Sequence, residues 1–157
     1  MDGALPPING EARVAPPDTR LRLTASPRKN APMRYEGLAE VPYNYAAAAP
    51  AGAMLFTAGA CPLDAEGKVV ASGDHRAQAE KAVENLLAVL ARHQAGPEHL
   101  TKTTVYVVGD RRDLVAVWDV VAACLEPHRP PSTLLGVAVL GYQHQLVEID
   151  GIAALPG

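Results

Sequence analysis

Two consecutive amphipathic stretches limit the folds open to this chain more than any other feature. Between residues 74 and 93 apolar side chains recur three and four positions apart, and the same spacing returns after Asp110. Ser72 or Asp74 can cap the first stretch, Asp110 can cap the second, and Pro127 stops the second. The apolar positions are Ala79, Ala82, Val83, Leu86, Leu87 and Leu90, then Leu114, Val117, Trp118, Val121 and Leu125. The pattern predicts two helices, each with one apolar face that needs a partner layer.

Apolar and β-branched runs flank these helices. Five runs predict strands, at residues 54–58, 68–71, 101–108, 133–140 and 146–153. Turn-forming residues at 63–67 predict that the first two strands form a hairpin. The predicted order is ββαβαββ, and a long connection through each helix joins one strand to the next. We therefore predict an α+β fold, in which a mixed sheet carries both helices on one face.

The last two predicted strands carry apolar side chains on both of their faces. These are Leu134, Leu135, Val137 and Val139 in one strand and Leu146, Val147, Ile149 and Ile152 in the other. Two helices cover only one face of a sheet. We expect other copies of the chain to cover the second face, which predicts a homo-oligomer.

The N-terminal segment differs from the rest of the chain in its prolines. Of the 14 prolines, seven lie at or before Pro42, and residues 1–40 have no sustained period of 2 or 3.6. We predict a proline-rich arm at 1–40 and one working domain at 41–157. The charges of the arm are mixed, which favours a solvated or subunit-wrapping arm over a basic binding tail. Within it, residues 20–24 alternate and could pair as an edge strand.

Composition excludes several classes of protein. The net charge is −3 and 20% of the residues are charged, which fits neither a disordered acidic chain nor a nucleic-acid-binding one. No signal peptide or membrane-spanning run is recognisable. Cys61 and Cys124 are far apart in sequence and have no CxxC partner, and the five histidines show neither metal-ligand spacing nor a triad arrangement. We expect Cys124 in the core, and a reduced, cytoplasmic protein without a metal or cofactor.

Glu148 is the most informative polar residue, because it interrupts an apolar strand. An edge-strand glutamate facing water is the ordinary explanation, whereas a carboxylate in a pocket could exchange protons with a substrate near neutral pH. Ser132 and Thr133 follow a proline-rich loop, so they either cap a turn or line a pocket at an interface. Cys61 is either a small buried filler or an exposed thiol at a strand end, and Trp118 either packs in the core or a subunit contact or stacks on a ligand.

Short motifs also occur in a fixed order along this plan. They are Pro42-Tyr43, Phe56-Thr-Ala-Gly-Ala-Cys-Pro62, the stretch from Gln78 to Leu87 with Glu84-Asn85-Leu86, Lys102-Thr-Thr-Val-Tyr106, Asp113-Leu114 and Val147-Glu-Ile-Asp-Gly-Ile-Ala153. Together they resemble the Rid family (YjgF-type, reactive intermediate deaminases) over residues 41–154. The resemblance implies a chorismate-mutase-like fold and a homotrimer. Three sheets would form a central barrel, with the helices outside and clefts between neighbouring subunits.

The resemblance also implies roles for individual residues. In the deaminating members an arginine grips the substrate carboxylate, and a glutamate positions a water that attacks the imine carbon. Glu148 matches that glutamate, and Tyr43 matches a tyrosine that closes the pocket. Ser132 stands where the arginine would be, and Thr133 where the backbone contacts the substrate. The chain therefore resembles a branch that lacks the substrate-binding arginine.

Two further departures from the family pattern predict a less polar pocket. Ala58 and Ala60 replace polar residues, and one extra residue lies between Gly141 and Gln145. We add Ala60, Cys61 and Trp118 to the predicted substrate-binding residues.

Our leading hypothesis is an enzyme acting on a reactive imine, enamine or enol, with Glu148 as proton shuttle. Hydrolytic deamination, tautomerisation and a condensation in secondary metabolism all remain open. The alternative is a non-catalytic trimer that binds or senses a ligand. The expected partners are a small molecule and two further copies of the chain, with neither nucleic acid nor a membrane.

Overall fold

The computed structural model describes residues 36–40, 46–48 and 54–156, which belong to one compact unit, Pro32–Gly157. Its elements are β1 (Ala46–Ala48), β2 (Met54–Thr57), α1 (His75–Arg92), a 3-10 turn (Pro97–His99), β3 (Leu100–Val107), α2 (Arg111–Leu125), β4 (Ser132–Gly136) and β5 (Val147–Ala154). Apart from residues 36–40, the predicted arm at 1–40, including the proposed edge strand at 20–24, lies outside the described residues. The arm and the domain boundary stay predictions.

The five strands form one mixed sheet in the order β1-β2-β5-β3-β4. β3 and β4 pair in parallel, and the other three pairs are antiparallel. Both helices pack on the same face, where α1 contacts α2 and β5 while α2 contacts β3 and β4. This architecture confirms the predicted α+β class with two helices on one face.

Acidic residues begin both helices, as predicted. The Asp74 side chain accepts a hydrogen bond from the Ala77 backbone N–H at 3.0 Å. Asp110 accepts from the N–H groups of Arg112 and Asp113, and the Asp113 carboxylate accepts in return from the Asp110 N–H. These caps satisfy backbone donors that a helix N-terminus leaves without partners.

Asp74→Ala should lower the free energy of unfolding by about 1 kcal/mol, because the cap of α1 is lost. Ser72, the other predicted cap, makes no such bond in the structure, so Ser72→Ala serves as the matched control. Urea unfolding monitored by circular dichroism measures both variants. Equal stabilities of the two would contradict the assignment of Asp74 as the cap.

The hydrophobic core lies between the sheet and the two helices. Its members come from every layer, and Leu55, Leu86, Val105, Val121 and Ile149 have no measurable exposure. The predicted apolar positions of α1 point into it, which confirms the helical face. Cys124 does not: it is exposed on α2, one position before the buried Leu125, and its assignment to the core was wrong.

The predicted hairpin is wrong in its second strand. Residues 68–71 make a single bridge, Leu63 to Val69, rather than a strand. Asp64 closes a tight turn by accepting hydrogen bonds from the N–H groups of Glu66 and Lys68, and the chain turns again at Ala71, where φ is +46°. The segment between the two turns is too short to form a row of hydrogen bonds with a second strand. The order ββαβαββ is still observed, because β1 supplies the strand that 68–71 does not.

The fourth strand ends at Gly136, not at residue 140 as predicted. Among the described strands β3 alone pairs with it, and β3 ends at Val107 before the chain enters α2. The last bond between them runs from the Val137 N–H to the Val107 carbonyl. Beyond it no described strand pairs with the apolar run, and Val139 is 79% exposed.

Neither described helix packs on the second face of the sheet, which we call the open face. Polar side chains lie at its middle, and the apolar Phe56 and Leu135 on it are 50% and 42% exposed. Its described members are Met54, Phe56, Lys102, Thr104, Tyr106, Thr133, Leu135, Glu148, Asp150, Ile152 and Ala154. The expectation that other copies cover this face stays a prediction. Neither helix in the described part of the chain is apolar enough over its length to span a membrane.

Candidate functional site

Strand alternation places Glu148 on the open face. Its neighbours Val147 and Ile149 are fully buried on the helix side, so the side chain between them must point the other way. The register places Glu148 opposite Tyr106 on β3. The carboxylate is half-buried, at the point where β5 begins and two loops approach it.

Two side chains hold one oxygen of this carboxylate. Gln145 Nε2 donates a hydrogen bond to Glu148 Oε2 at 3.0 Å, and Cys61 Sγ lies 3.6 Å from the same oxygen. Gln145 is itself fixed, because its Oε1 accepts from the Tyr142 N–H and its Nε2 also reaches the Val147 carbonyl. The other oxygen, Oε1, accepts no hydrogen bond from the described residues.

Gly59 provides the space for this carboxylate. A side chain at position 59 would overlap Glu148 Oε1 and lie 2.5 Å from its Cδ. Gly59 is not in a left-handed conformation, so its requirement is one of space rather than of backbone freedom. Glu148 is thus held between a backbone surface and the amide of Gln145.

The rest of the described open face carries a second carboxylate, Asp150, and one cation, Lys102. Tyr106 Oη donates a hydrogen bond to Asp150 Oδ2 at 2.9 Å. This bond, with partial burial, raises the pKa of the Tyr106 phenol. Lys102 Nζ donates to Thr133 Oγ1. The hydroxyl of Tyr106 therefore stays protonated near Glu148, and the only lysine on the described open face is already engaged.

Thr133 and Ser132 point to opposite faces of β4. Thr133 is on the open face with Lys102, whereas Ser132 Oγ lies 2.6 Å from the Oγ1 of the fully buried Thr103 on the helix side. Ser132 also donates to the Pro130 carbonyl. Within one chain, Ser132 and Glu148 therefore do not face the same space. A cleft that includes both must have walls from two chains.

Ser132 shares its side of the sheet with Trp118. Together they line a groove of about 270 Å³ between the end of α2 and the start of β4. The remaining lining residues are Val121, Ala122, Leu125, Glu126, His128, Arg129 and Pro130. Trp118 is 37% exposed there, so it lies at the groove surface rather than in the core. The guanidinium of Arg129 pairs with Glu126 at 3.1 Å.

The remaining predicted residues are placed as follows. Cys61 is buried, and its thiol faces Glu148. Ala60 is buried in the core, and its backbone exchanges two hydrogen bonds with Ile149, which fixes Gly59 and Cys61 beside β5. Tyr43 lies outside the described residues. Among the described residues, no three His, Cys, Asp or Glu side chains come together as a possible metal site.

Reasoning from sequence missed the residues that hold the carboxylate. Gln145 and Gly59 contact it directly, while Gln78 and Asn85 on α1 bond to the loops beside it. A signal for the last two was present, because an amide interrupts the apolar face of α1 at each position. Buried amides that interrupt a helix face need partners, and here the partners are loop backbones.

Comparisons with known proteins match the part of the chain that contains the sheet, the two helices and Glu148. The model of the family described as endoribonuclease L-PSP matches residues 36–155. The RutC family protein slr0709 of Synechocystis is 38% identical over 117 residues, which are 73% of this chain and 87% of that protein. Protein DfrA of Myxococcus xanthus is 35% identical over 112 residues, 71% of this chain and 84% of its own.

A solved structure gives the same result for the fold. YyfB of Yersinia pestis, a member of the Rid protein family, is 29% identical and superposes with a TM-score of 0.63. The match covers 71% of this chain and 86% of YyfB. The mixed sheet with two helices on one face is thus shared with a protein of that family.

Proposed function

The chain belongs to the YjgF/RidA (endoribonuclease L-PSP) family, with its chorismate-mutase-like fold, and on that premise we propose that it hydrolyses a reactive imine or enamine. The observation that carries the proposal is the Glu148 carboxylate, with one oxygen held by Gln145 and the other without a hydrogen bond from the described residues. Such a group suits proton transfer to and from a bound water.

The proposed reaction has two proton transfers, both through Glu148. The carboxylate takes a proton from water while the water oxygen bonds to the imine carbon, and the protonated Glu148 gives that proton to the nitrogen, which becomes an amine. Glu148 then takes the hydroxyl proton of the carbinolamine and gives it to the amine, so the C–N bond breaks, ammonia leaves and the carbonyl forms. The overall change is imine plus water to carbonyl compound plus ammonia. An enamine would first be protonated at carbon, which gives the imine, and would then be hydrolysed by the same steps. A tautomerisation would stop after that protonation at carbon.

We propose that the reaction takes place in a cleft between subunits of a homotrimer. The exposed apolar Phe56 and Leu135 of the open face support such an assembly. Ser132 and Glu148, which lie on opposite faces of one sheet, would then face the cleft from different subunits. Thr133, Cys61, Trp118 and Tyr43 are the further candidate contacts of the substrate. Sedimentation equilibrium should give three times the chain mass of 16.5 kDa.

The substrate class follows from Ser132. An arginine binds a carboxylate through two charge-assisted hydrogen bonds, and a serine hydroxyl supplies no charge. Lys102, the cation nearest to Thr133 in the register, lies with Glu148 and Asp150 on a face that carries two acids. We therefore propose an uncharged imine, rather than one derived from an amino acid, as substrate.

Two imines that differ only by a carboxylate test this proposal. A flavin amine oxidase forms one from 2-phenylethylamine, and a flavin amino-acid oxidase forms the other from phenylalanine. We expect the purified protein to accelerate ammonia release from the first, with a kcat/KM at least about tenfold above that for the second, since no arginine offsets the desolvation of the carboxylate. Preference for the phenylalanine-derived imine would overturn the substrate class.

The same assay separates the enzyme from the non-catalytic alternative. A ligand-binding trimer predicts no acceleration with either imine, nor with a panel of aliphatic pairs. Ribonuclease activity, which the family description names, gains no support from a net charge of −3 and an open face with two carboxylates. A reducing, cytoplasmic location stays a prediction.

A further inference from the structure

We propose that Gln78 and Asn85 are positioning residues for Glu148, through which helix α1 fixes both loops that hold the carboxylate. The expected effect of these residues on turnover rests on the proposed function. The hydrogen bonds from which we infer the positioning role do not depend on any substrate. None of the described hydrogen bonds of these two amides goes to Glu148 itself. Each amide bonds to the backbone of one of the two loops whose residues contact Glu148.

Gln78 fixes the loop that carries Gln145. It has no exposed surface, and its Oε1 accepts a hydrogen bond from the Leu146 N–H at 2.7 Å. Its Nε2 donates to the carbonyls of His144 at 2.9 Å and Ala71 at 3.3 Å. The bonds to Leu146 and His144 hold the residues on both sides of Gln145, whose amide contacts the Glu148 carboxylate, and the third bond ties Gln78 to the turn before α1.

The two residues whose carbonyls accept from Gln78 Nε2 have a left-handed backbone conformation, which is rare outside glycine. His144 has a φ of +66° and Ala71 a φ of +46°, and neither is glycine. Left-handed conformations of such residues persist where surrounding contacts enforce them. The Gln78 amide bonds to both, so it holds two strained turns at once. Without it, the loop before β5 loses the constraint that sets the position of Gln145.

Asn85 fixes the second loop. It is 5% exposed, and its Nδ2 donates to the carbonyls of Cys61 at 2.8 Å and Leu63 at 3.0 Å. The loop otherwise makes one backbone bridge to β5, from Ala60 to Ile149. Asn85 therefore holds the loop at Cys61 and Leu63, next to the Ala60 bridge that places Gly59 beside β5. Cys61 and Gly59 in turn contact Glu148.

The spacing of the two amides explains how one helix serves both loops. They are seven residues apart, close to two helical turns, so they lie on the same face of α1. The other buried side chains of this face are mostly apolar. An apolar side chain at either position would pack in the core equally well, whereas an amide has to satisfy its polar atoms there. Four of the five described hydrogen bonds of these amides go to the two loops beside Glu148, and the fifth goes to Ala71.

The test uses Gln78→Met and Asn85→Leu, which keep side-chain size and remove the hydrogen bonds. Val83→Ala, in the same helix and also buried, is the control for a general loss of stability. Hydrogen exchange measured by mass spectrometry gives a readout that needs no substrate. We expect Gln78→Met to speed exchange in residues 142–148 but not 59–63, and Asn85→Leu to do the reverse.

Turnover of the 2-phenylethylamine-derived imine is the second readout. We expect each variant to lower kcat by roughly tenfold to a hundredfold and to change KM by less than about threefold. The reason is that the variant displaces the Glu148 carboxylate but leaves the residues that contact the substrate in place. If either fails to fold, Gln78→Glu and Asn85→Asp keep the shape and remove the donated bonds.

Faster exchange in both segments for every variant, Val83→Ala included, would overturn the positioning role. So would a kcat within about twofold of that of Val83→Ala. If the wild type does not accelerate imine hydrolysis, the proposed function fails, and the crossed exchange pattern still decides the positioning role by itself.

Discussion

Gly59→Ala is expected to lower kcat for imine hydrolysis by about 100-fold while the protein stays folded. The added methyl group would occupy the space of Glu148 Oε1 and lie 2.7 Å from its Cγ. The three nearest atoms all belong to the Glu148 side chain, so we expect the carboxylate to move rather than the backbone. The displaced carboxylate loses its hydrogen bond from Gln145 and its place beside Cys61.

Gly141→Ala is the matched control for this variant. Gly141 is also a loop glycine without a left-handed φ, and nothing lies within 4 Å of a side chain built there. Steady-state kinetics and urea unfolding of both variants separate displacement of the carboxylate from a general effect of alanine. Wild-type kcat in Gly59→Ala would mean that the position of Glu148 does not limit the reaction.

The periodic elements of the fold could be predicted from sequence because they follow from local chemistry. Helix α1 begins at His75 after the Asp74 cap, and α2 follows Asp110, since a carboxylate at the N-cap and an apolar face are both visible in the chain. The position of Glu148 between two buried residues was also predictable, because strand alternation determines it.

The strand errors have a different origin. Residues 68–71 have strand-forming side chains, but a turn on each side separates them from a partner strand. Residues 137–140 are apolar, but they lie beyond the end of β3, the strand with which β4 pairs. Strand formation depends on a partner that lies elsewhere in the sequence, so propensity alone could not determine either boundary. The tight turn at Asp64 was recognised, but its consequence for the strand after it was not.

Reasoning from sequence singled out Glu148, whose role stays a prediction, and missed the residues that contact it or hold its loops. Glu148 and Cys61 were singled out, whereas Gln145, Gln78 and Asn85 act through contacts between segments distant in sequence. Ser132 and Thr133 were placed in one cleft, yet adjacent strand residues point to opposite faces. The alternation of side chains along a strand is enough to separate these two residues from the sequence alone.

Glu148→Gln should reduce the rate by about 10²- to 10⁴-fold, the range typical of a lost acid–base group. The amide keeps the size of the side chain and an oxygen that can accept the Gln145 hydrogen bond, but it cannot take a proton from water. Asp150→Asn is the matched control, because it removes the same charge from the same face of β5, two residues away. It should leave kcat within about threefold of the wild type.

Ammonia release from the 2-phenylethylamine-derived imine, compared among the wild type, Glu148→Gln and Asp150→Asn, tests the central claim most directly. We predict acceleration by the wild type and Asp150→Asn, and a rate close to that of buffer for Glu148→Gln. Equal acceleration by all three proteins would contradict the assignment of Glu148 as the group that transfers the proton.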